Sequence, residues 1–314
     1  MSKAITGGAH PQAKTVSRAG ALAGRKLNLY GLLFASPWIL GLLIFYALPL
    51  VLSIYYSFTS YSILKPGEWV GLDNYRNLMN DKSFWIGIYN TIYFTVIFVP
   101  LSIVIGVGVA VLLNMKIKGM SVYRTIFFLP TLVPHVAIAI IWLWILNPRL
   151  GLINLALEWV GIQGPAWLSS VAWSKPALIF MSLWGIGNAI VIYLAGLQDV
   201  PQDLYDAAAV DGANASQRIR RITIPMLTPV IFFNLVMGMI HAFQQFTLPY
   251  ALTGGQGTPG TSMLFYVMYL YNNAFIYLKM GYASAMAWIL FIVIMILTCI
   301  IFVTSKRWVH YQGK

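Results

Sequence analysis

A chain of 314 residues in which 59% are hydrophobic and 9% charged is unlike a soluble domain, where roughly a quarter of residues carry charge. Such a chain has lipid as its main solvent. The net charge of +12 would suit a nucleic-acid binder, but the cations lie scattered between apolar runs instead of forming one basic patch, so no nucleic acid is expected as a partner. The lone cysteine, Cys299, excludes an intrachain disulfide and reads as a packed residue within an apolar helix.

Residues 1–28 are small, polar and basic, with Lys3, Lys14, Arg18, Arg25 and Lys26, and read as a flexible cytoplasmic tail. The apolar run after them is too long for the core of a secretory signal and lacks a clear cleavage site. Charge is costly at mid-membrane, so charge-free stretches mark the spans. They place six transmembrane helices near 29–57, 88–114, 125–146, 176–197, 226–248 and 284–305, each long enough to cross the hydrocarbon. Pro37, Pro49, Pro100, Pro130 and Pro134 fall in or near these helices, which tolerate proline when neighbours satisfy the freed carbonyls. Residues 262–278 are apolar but short and interrupted by Asn272-Asn273, and they read as an interfacial helix on the outer face instead of a seventh span. Residues 306–314 form a second cytoplasmic tail. With both termini inside, 14 Lys and Arg fall in cytoplasmic segments and 6 in outer ones, as the positive-inside rule requires. Aromatics at 15% fit rings anchored at both interfaces.

All eight acids lie outside the spans, and four of them share the cytoplasmic segment 199–225, DVPQDLYDAAAVDGANASQRIRRITIP. Pro201 suits the first helical position and Asp203 the positive end of a helix. The Ala-rich run Leu204 to Val210 favours helix. Asp211-Gly212 ends it, since Gly readily adopts the left-handed conformation. A second helix starts between Asn214 and Gln217 and carries Arg218, Arg220 and Arg221, and Pro225 leads into the fifth span. Two short helices joined by a tight turn therefore lie beneath the membrane, with small Ala faces that another protein can approach closely. Tyr205-Asp206-Ala207-Ala208-Ala209-Val210-Asp211-Gly212-Ala213, followed by Ile222-Thr223-Ile224-Pro225, resembles the coupling loop of ABC importer permeases. Asp206 stands where that pattern has Glu, which keeps the charge and shortens its reach. Further runs over about 30–305 resemble the carbohydrate-type members: Arg124 to Pro130, Leu146-Asn147-Pro148, Gly151 to Asn154, Leu252 to Gly255, Ala274-Phe275 and Gly281 to Ala285.

The resemblance implies an all-α membrane protein of the type I importer permease fold, in a prokaryotic inner membrane. It implies a second homologous permease, an ATPase dimer and an extracellular solute-binding protein as partners. No Gly-x-x-x-x-Gly-Lys-Ser/Thr loop occurs, so ATP and Mg belong to the ATPase partner, and no cofactor, metal or catalytic residue is expected on this chain. Tyr205, Asp206, Ala207, Ala208, Asp211, Gly212, Ala213, Ile224 and Pro225 are the residues the resemblance assigns to ATPase coupling. For the substrate path, Trp184, Gly185 and Asn188 on the fourth span and Gly238, His241 and Gln245 on the fifth share helix faces. Aromatic rings and neutral amides suit a sugar, while the same residues also serve plain helix packing. The spans contain no Lys or Arg to hold a phosphate, which favours a neutral sugar or oligosaccharide over glycerol-3-phosphate, with import of that ester or another polyol by the same machinery as the alternative. A proton-coupled transporter would be expected to carry intramembrane acids, and none is present, whereas sodium coupling through backbone carbonyls keeps an ion-coupled secondary transporter as the alternative reading. The histidines are scattered and form no enzyme motif.

Overall fold

A computed structural model describes residues 30–310 apart from 32 and 116. The predicted tail over 1–28 and residues 311–314 of the C-terminal tail lie outside the described residues. The chain divides into two units, residues 1–55 and residues 56–314. In the first, the apolar helix α1 (Leu33–Ser57) begins and runs on into the second. It widens into a π turn at Leu43–Ala47, just before Pro49, whose ring cannot donate to the ladder and crowds the preceding turn.

The second unit is almost wholly helical. Helix α2 (Asp73–Asn80) precedes α3 (Lys82–Leu113). Then come α4 (Met120–Phe128), extended by a 3-10 turn at Leu129–Leu132, and α5 (His135–Ile145). After α6 (Leu152–Trp159), helices α7 (Val171–Trp184) and α8 (Gly187–Gln198) follow. Helices α9 (Gln202–Val210) and α10 (Ala215–Arg218) form a hairpin that passes through a π turn, Ile219–Thr223, into α11 (Ile224–Phe243). The chain ends with α12 (Thr247–Thr253), α13 (Tyr266–Tyr271) and α14 (Met280–Ser305). Among the described residues, α1, α3, the run Ala215–Thr253 and α14 are long and apolar enough to cross a membrane, and two bent pairs bring the number to six.

Those pairs depart from the straight spans expected at 125–146 and 176–197. The α4 segment through Leu132 meets α5 at 103°. Val133 is extended and Pro134 takes ψ 138 at the helix cap, because a proline disfavours helical geometry in the residue before it. Helices α7 and α8 bend by 48° across Gly185 and Ile186. The predicted interfacial segment becomes α13 and a π turn, Asn272–Ile276. It is too short to cross a membrane, and it packs on α3 and α14, burying Tyr266, Met268, Asn272, Asn273 and Ala274.

Polar side chains fasten the end of the bundle opposite the α9–α10 hairpin. Asn90, 2% exposed, donates to the carbonyls of Thr261 and Leu264 at 2.8 and 2.9 Å. Asp81 caps α3 by accepting from the Ser83 amide at 2.8 Å, and its other oxygen accepts from the hydroxyls of Tyr269 and Tyr282 at 2.5 and 2.7 Å. One carboxylate thus joins α3, α13 and α14. Burial alone would raise the Asp81 pKa, but the hydrogen bonds from Tyr269, Tyr282 and the amides of Ser83 and Phe84 together outweigh it and hold the carboxyl below its ordinary value.

A carboxyl depressed in the folded state adds stability above its unfolded pKa, and that stability is lost as pH falls through the folded value. Thermal unfolding followed by tryptophan fluorescence should therefore show Asp81→Asn less stable than wild type at neutral pH, with the gap narrowing below about pH 4. A gap that does not change with pH would remove the ionised carboxylate from this role.

Candidate functional site

Two places concentrate polar chemistry. The first is the hairpin. Pro201 sits at the cap of α9 with φ −58°, and Asp203 lies in the first turn. The helix stops at Asp211, and Gly212 takes φ +77°, where a side chain would be strained. The Ala213 amide returns to the Ala208 carbonyl at 2.9 Å, closing the turn. Asn214 and Gln217 then form a reciprocal capping box, with bonds of 2.9 and 2.8 Å. The Tyr205 and Thr223 hydroxyls are hydrogen-bonded at 3.0 Å, which ties α9 to the buried Thr223 that caps α11. Asp206 accepts from Gln202 at 3.2 Å, and Pro225 occupies the first turn of α11 beside the exposed Ile224. No side chain of α9 is buried, and Val210 is 89% exposed. Seven of the nine residues predicted for coupling thus lie on α9 and the turn after it, while Ile224 and Pro225 open α11. The Tyr205–Thr223 bond and the cap pair Asn214 and Gln217 were not anticipated as features, although the Asn-x-x-Gln spacing carries the second.

The second place is a cavity of about 610 Å³ between α3, α5, α7, α8 and α11. Five of the six predicted path residues line it: Gly185, Asn188, Gly238, His241 and Gln245. Trp184 lies outside. It stands edge-on to Trp142, with ring centroids 6.0 Å apart, and faces a smaller apolar cavity of about 350 Å³ with Phe127, Pro130 and Phe180. The reason is the break after α7. An unbroken helix would carry residues 184 and 188 on one face, and the 48° bend at 185–186 separates them.

The cavity also holds residues that sequence reasoning passed over. Asn234 extends the Gly238, His241 and Gln245 stripe by one turn, so the helical period alone could have found it. His135 opens α5 after the sharp bend, and no local pattern places it there. Phe94, Phe98, Tyr193, Phe233 and Phe246 supply the rings. Ser102 and Ser182 donate their hydroxyl protons to Val99 and Leu178 on their own helices, both at 2.8 Å, and so can present lone pairs to the cavity. The lining contains no Lys, Arg, Asp or Glu. Among the described residues no group of three His, Cys, Asp or Glu is placed to hold a metal.

The helix break that shapes this wall depends on Gly187. A Cβ there would lie 2.6 Å from the Phe127 carbonyl oxygen and 2.6 Å from the Thr131 methyl carbon, so α8 can approach α4 only with glycine at this position.

Residues 102–310 match the family described as the binding-protein-dependent transport system inner membrane component. The chain is 43% identical over 293 residues to the probable ABC transporter permease protein YesP of Bacillus subtilis, covering 92% of this chain and 94% of the relative. It is 34% identical over 280 residues to the sulfoquinovosyl glycerol transport permease SmoG of Agrobacterium fabrum, covering 88% and 90%. A chain of a bacterial ABC transporter involved in import of the acidic polysaccharide alginate superposes with a TM-score of 0.79 at 25% identity, covering 93% of this chain and 99% of that one.

Gly187→Ala should lower the thermal stability of the purified protein by about 1–3 kcal/mol, since the Cβ meets backbone that cannot easily yield. Gly108→Ala, on α3 with open space around it, should leave stability unchanged or slightly raised. Equal effects of the two would show that the α4–α8 approach is not constrained at Gly187.

Proposed function

The chain belongs to the family of binding-protein-dependent transport inner-membrane components and is a multi-pass permease of a saccharide-importing ABC transporter, not an enzyme; from that premise we propose that it forms half of the path for a neutral sugar or oligosaccharide and takes its driving force from a separate ATPase through residues 199–225. The observation that carries the substrate reading is the 610 Å³ cavity, which offers amides, hydroxyls and aromatic rings and no Lys, Arg, Asp or Glu. Sugar hydroxyls bond to Asn188, Asn234 and Gln245, and sugar faces pack on the rings. Transport by such a cavity needs no charge to be desolvated.

The hairpin supports the coupling reading. Gly212 fixes its turn, the Asn214–Gln217 box caps its second helix, and the Tyr205–Thr223 bond braces it against α11. Ala207 and Ala208 let a partner helix come close, Asp206 offers a charge, and Val210 offers an exposed apolar contact. Asp211, Ala213, Ile224 and Pro225 complete the set. In this reading the ATPase dimer, with its ATP and Mg, docks on the hairpin. A second homologous permease closes the open side of the cavity, and a solute-binding protein delivers substrate at the opposite end. Both termini then lie on the ATPase side.

A second reading follows from His135 and His241, the two titratable side chains in the lining besides Tyr193. Their ring N–H groups can donate to a carboxylate, and the structural relative is involved in import of the acidic polysaccharide alginate. Uptake of labelled sugar by the assembled transporter, challenged with excess neutral oligosaccharides, uronate oligosaccharides and glycerol-3-phosphate, separates the readings. Competition by neutral sugars is expected. Competition by the acidic sugars alone, lost in His135→Ala and His241→Ala, would replace the neutral reading by the histidine one. In the neutral case Gln245→Ala should lower uptake by a few-fold to about tenfold, the scale of one or two lost hydrogen bonds, with assembly intact.

For coupling, Gly212→Pro and Asp206→Lys should each leave the permease inserted and assembled while uptake falls roughly tenfold or more, the scale of a lost coupling free energy of 1–3 kcal/mol. Substrate-stimulated ATP hydrolysis should be lost in parallel. Normal uptake and stimulation in both variants would take the hairpin out of this role.

A further inference from the structure

Among the described residues, Lys175 on α7 is a cation without a counter-ion, at the bundle end opposite the hairpin. Its ammonium donates to Asn90 Oδ1 at 3.0 Å and stands over the rings of Tyr89 and Tyr93, 4.6 and 4.8 Å from their centroids. Asn90 is itself locked by its bonds to Thr261 and Leu264, so the ammonium is held and not free to sweep through solvent. The salt bridge found among the described residues joins Arg76 to Asp73, and no carboxylate reaches Lys175. An ammonium has three donors, and Asn90 uses one of them. The side chain is half-buried, and Tyr89 is 60% exposed, so the cluster opens outward from the helices and not into the 610 Å³ cavity, whose lining does not include it.

Beneath the cluster runs an apolar stripe. Tyr89, Ile92, Val96, Pro100 and Val104 succeed one another on α3 at steps of three and four residues, and all are exposed. From Tyr89 to Val104 the helix rises about 22 Å, more than the ~15 Å depth of one leaflet of hydrocarbon. A held cation with two spare donors, flanked by tyrosine rings at a span end and continued by a leaflet-deep apolar stripe, matches an amphiphile with an anionic head and an acyl tail.

We propose that Lys175, Tyr89, Tyr93 and the α3 stripe below them form a binding site for an anionic phospholipid, its phosphate on the Lys175 ammonium and an acyl chain along Ile92 and Val96. The tyrosine rings orient the ammonium and sit at headgroup depth. The paired charges meet in a partly desolvated setting, where a charge-assisted hydrogen bond is about twice as strong as a neutral one.

The assembled transporter in phosphatidylcholine nanodiscs, titrated with phosphatidylglycerol, tests this through lipid retained in native mass spectrometry and through the melting temperature. The wild type should retain phosphatidylglycerol and melt higher with it. Lys175→Gln should weaken retention about tenfold and lose most of the gain, while Lys175→Arg keeps most of both. Lys279→Gln, which removes an exposed cation at the same end, should behave as wild type. Tyr89→Leu, at a ring that is 60% exposed, should weaken retention by about threefold and decides the matter if neither Lys175 variant inserts. Soluble glycerol phosphate at matched concentration should not displace the lipid. Displacement by it would mean a free-phosphate site and overturn the lipid assignment. Unchanged phosphatidylglycerol retention in Lys175→Gln and Tyr89→Leu would overturn it too. So would loss of the second permease from Lys175→Gln with retention unchanged, which would make the occupant a protein.

Discussion

In hydrocarbon no water can take up an orphan amide or a stray charge, and the architecture of this permease follows from where the chain can meet that demand. Three interruptions fall where the sequence removes a donor or a side chain. Pro49 follows a π turn, Val133-Pro134 breaks α4 from α5, and Gly185 to Gly187 break α7 from α8. At the span ends, polar side chains replace the missing partners. Asp81 caps α3, and the Arg124 guanidinium donates to the Leu113 carbonyl at 3.0 Å to close the other end of the same helix. Helix α3 is thereby pinned at both ends, and the other elements of the second unit are arranged against it: α7, α8, α11 and α13 all pack on it.

This arrangement connects the two candidate sites mechanically. The hairpin is inserted between α8 and α11, and these two helices supply Asn188 on one wall of the cavity and Asn234, Gly238 and His241 on the other. A displacement of the hairpin cannot be absorbed at a flexible joint. Its turn is fixed by Gly212, its second helix by the capping box, and its contact with α11 by the Tyr205–Thr223 bond. The helix breaks lie further on, at 185–186 between α7 and α8 and at the turn after Phe243, where α11 gives way to α12. Under the proposed reading, force applied at the hairpin therefore arrives at the cavity walls as movement of whole helices, the shear and hinge mode by which packed elements switch between states.

The spans and the hairpin were legible in the sequence because their causes are local. A charge-free stretch of sufficient length forms a helix in lipid whatever its neighbours, and the Ala run, Asp211-Gly212 and Asn214 to Gln217 settle the hairpin within 27 residues. The bends were not legible. Pro100 sits inside α3 without ending it, whereas Pro134 accompanies a turn of 103°, and the two prolines look alike in sequence. The outcome depends on whether neighbours stabilise the broken or the continuous form, a tertiary matter. Trp184 shows the cost of not knowing this, since a face drawn through an unbroken helix carried it into the cavity when the bend turns it towards Trp142. His135 is the converse case, brought to the cavity by a bend that no periodicity foretells.

The composition of the cavity also bears on how such a permease can work. A translocation path must hold its cargo weakly enough to release it on the far side. A buried ion pair with the substrate would have to be broken and resolvated in each cycle, at a cost of several kcal/mol when one partner is left behind in a low-dielectric wall. Neutral hydrogen bonds exchange with water at a net value of about 0.5–1.5 kcal/mol each. Under the proposed reading, three or four of them, with packing on Phe94, Phe98 and Phe233, give a site that distinguishes a saccharide from water without trapping it. In that reading high affinity is left to the solute-binding protein, and the ATPase has only to open and close the walls. The same reasoning accounts for the absence of Lys, Arg, Asp and Glu from the cavity lining: charge lies instead on the hairpin, at span ends with Asp81 and Arg124, and at Lys175 outside the lining.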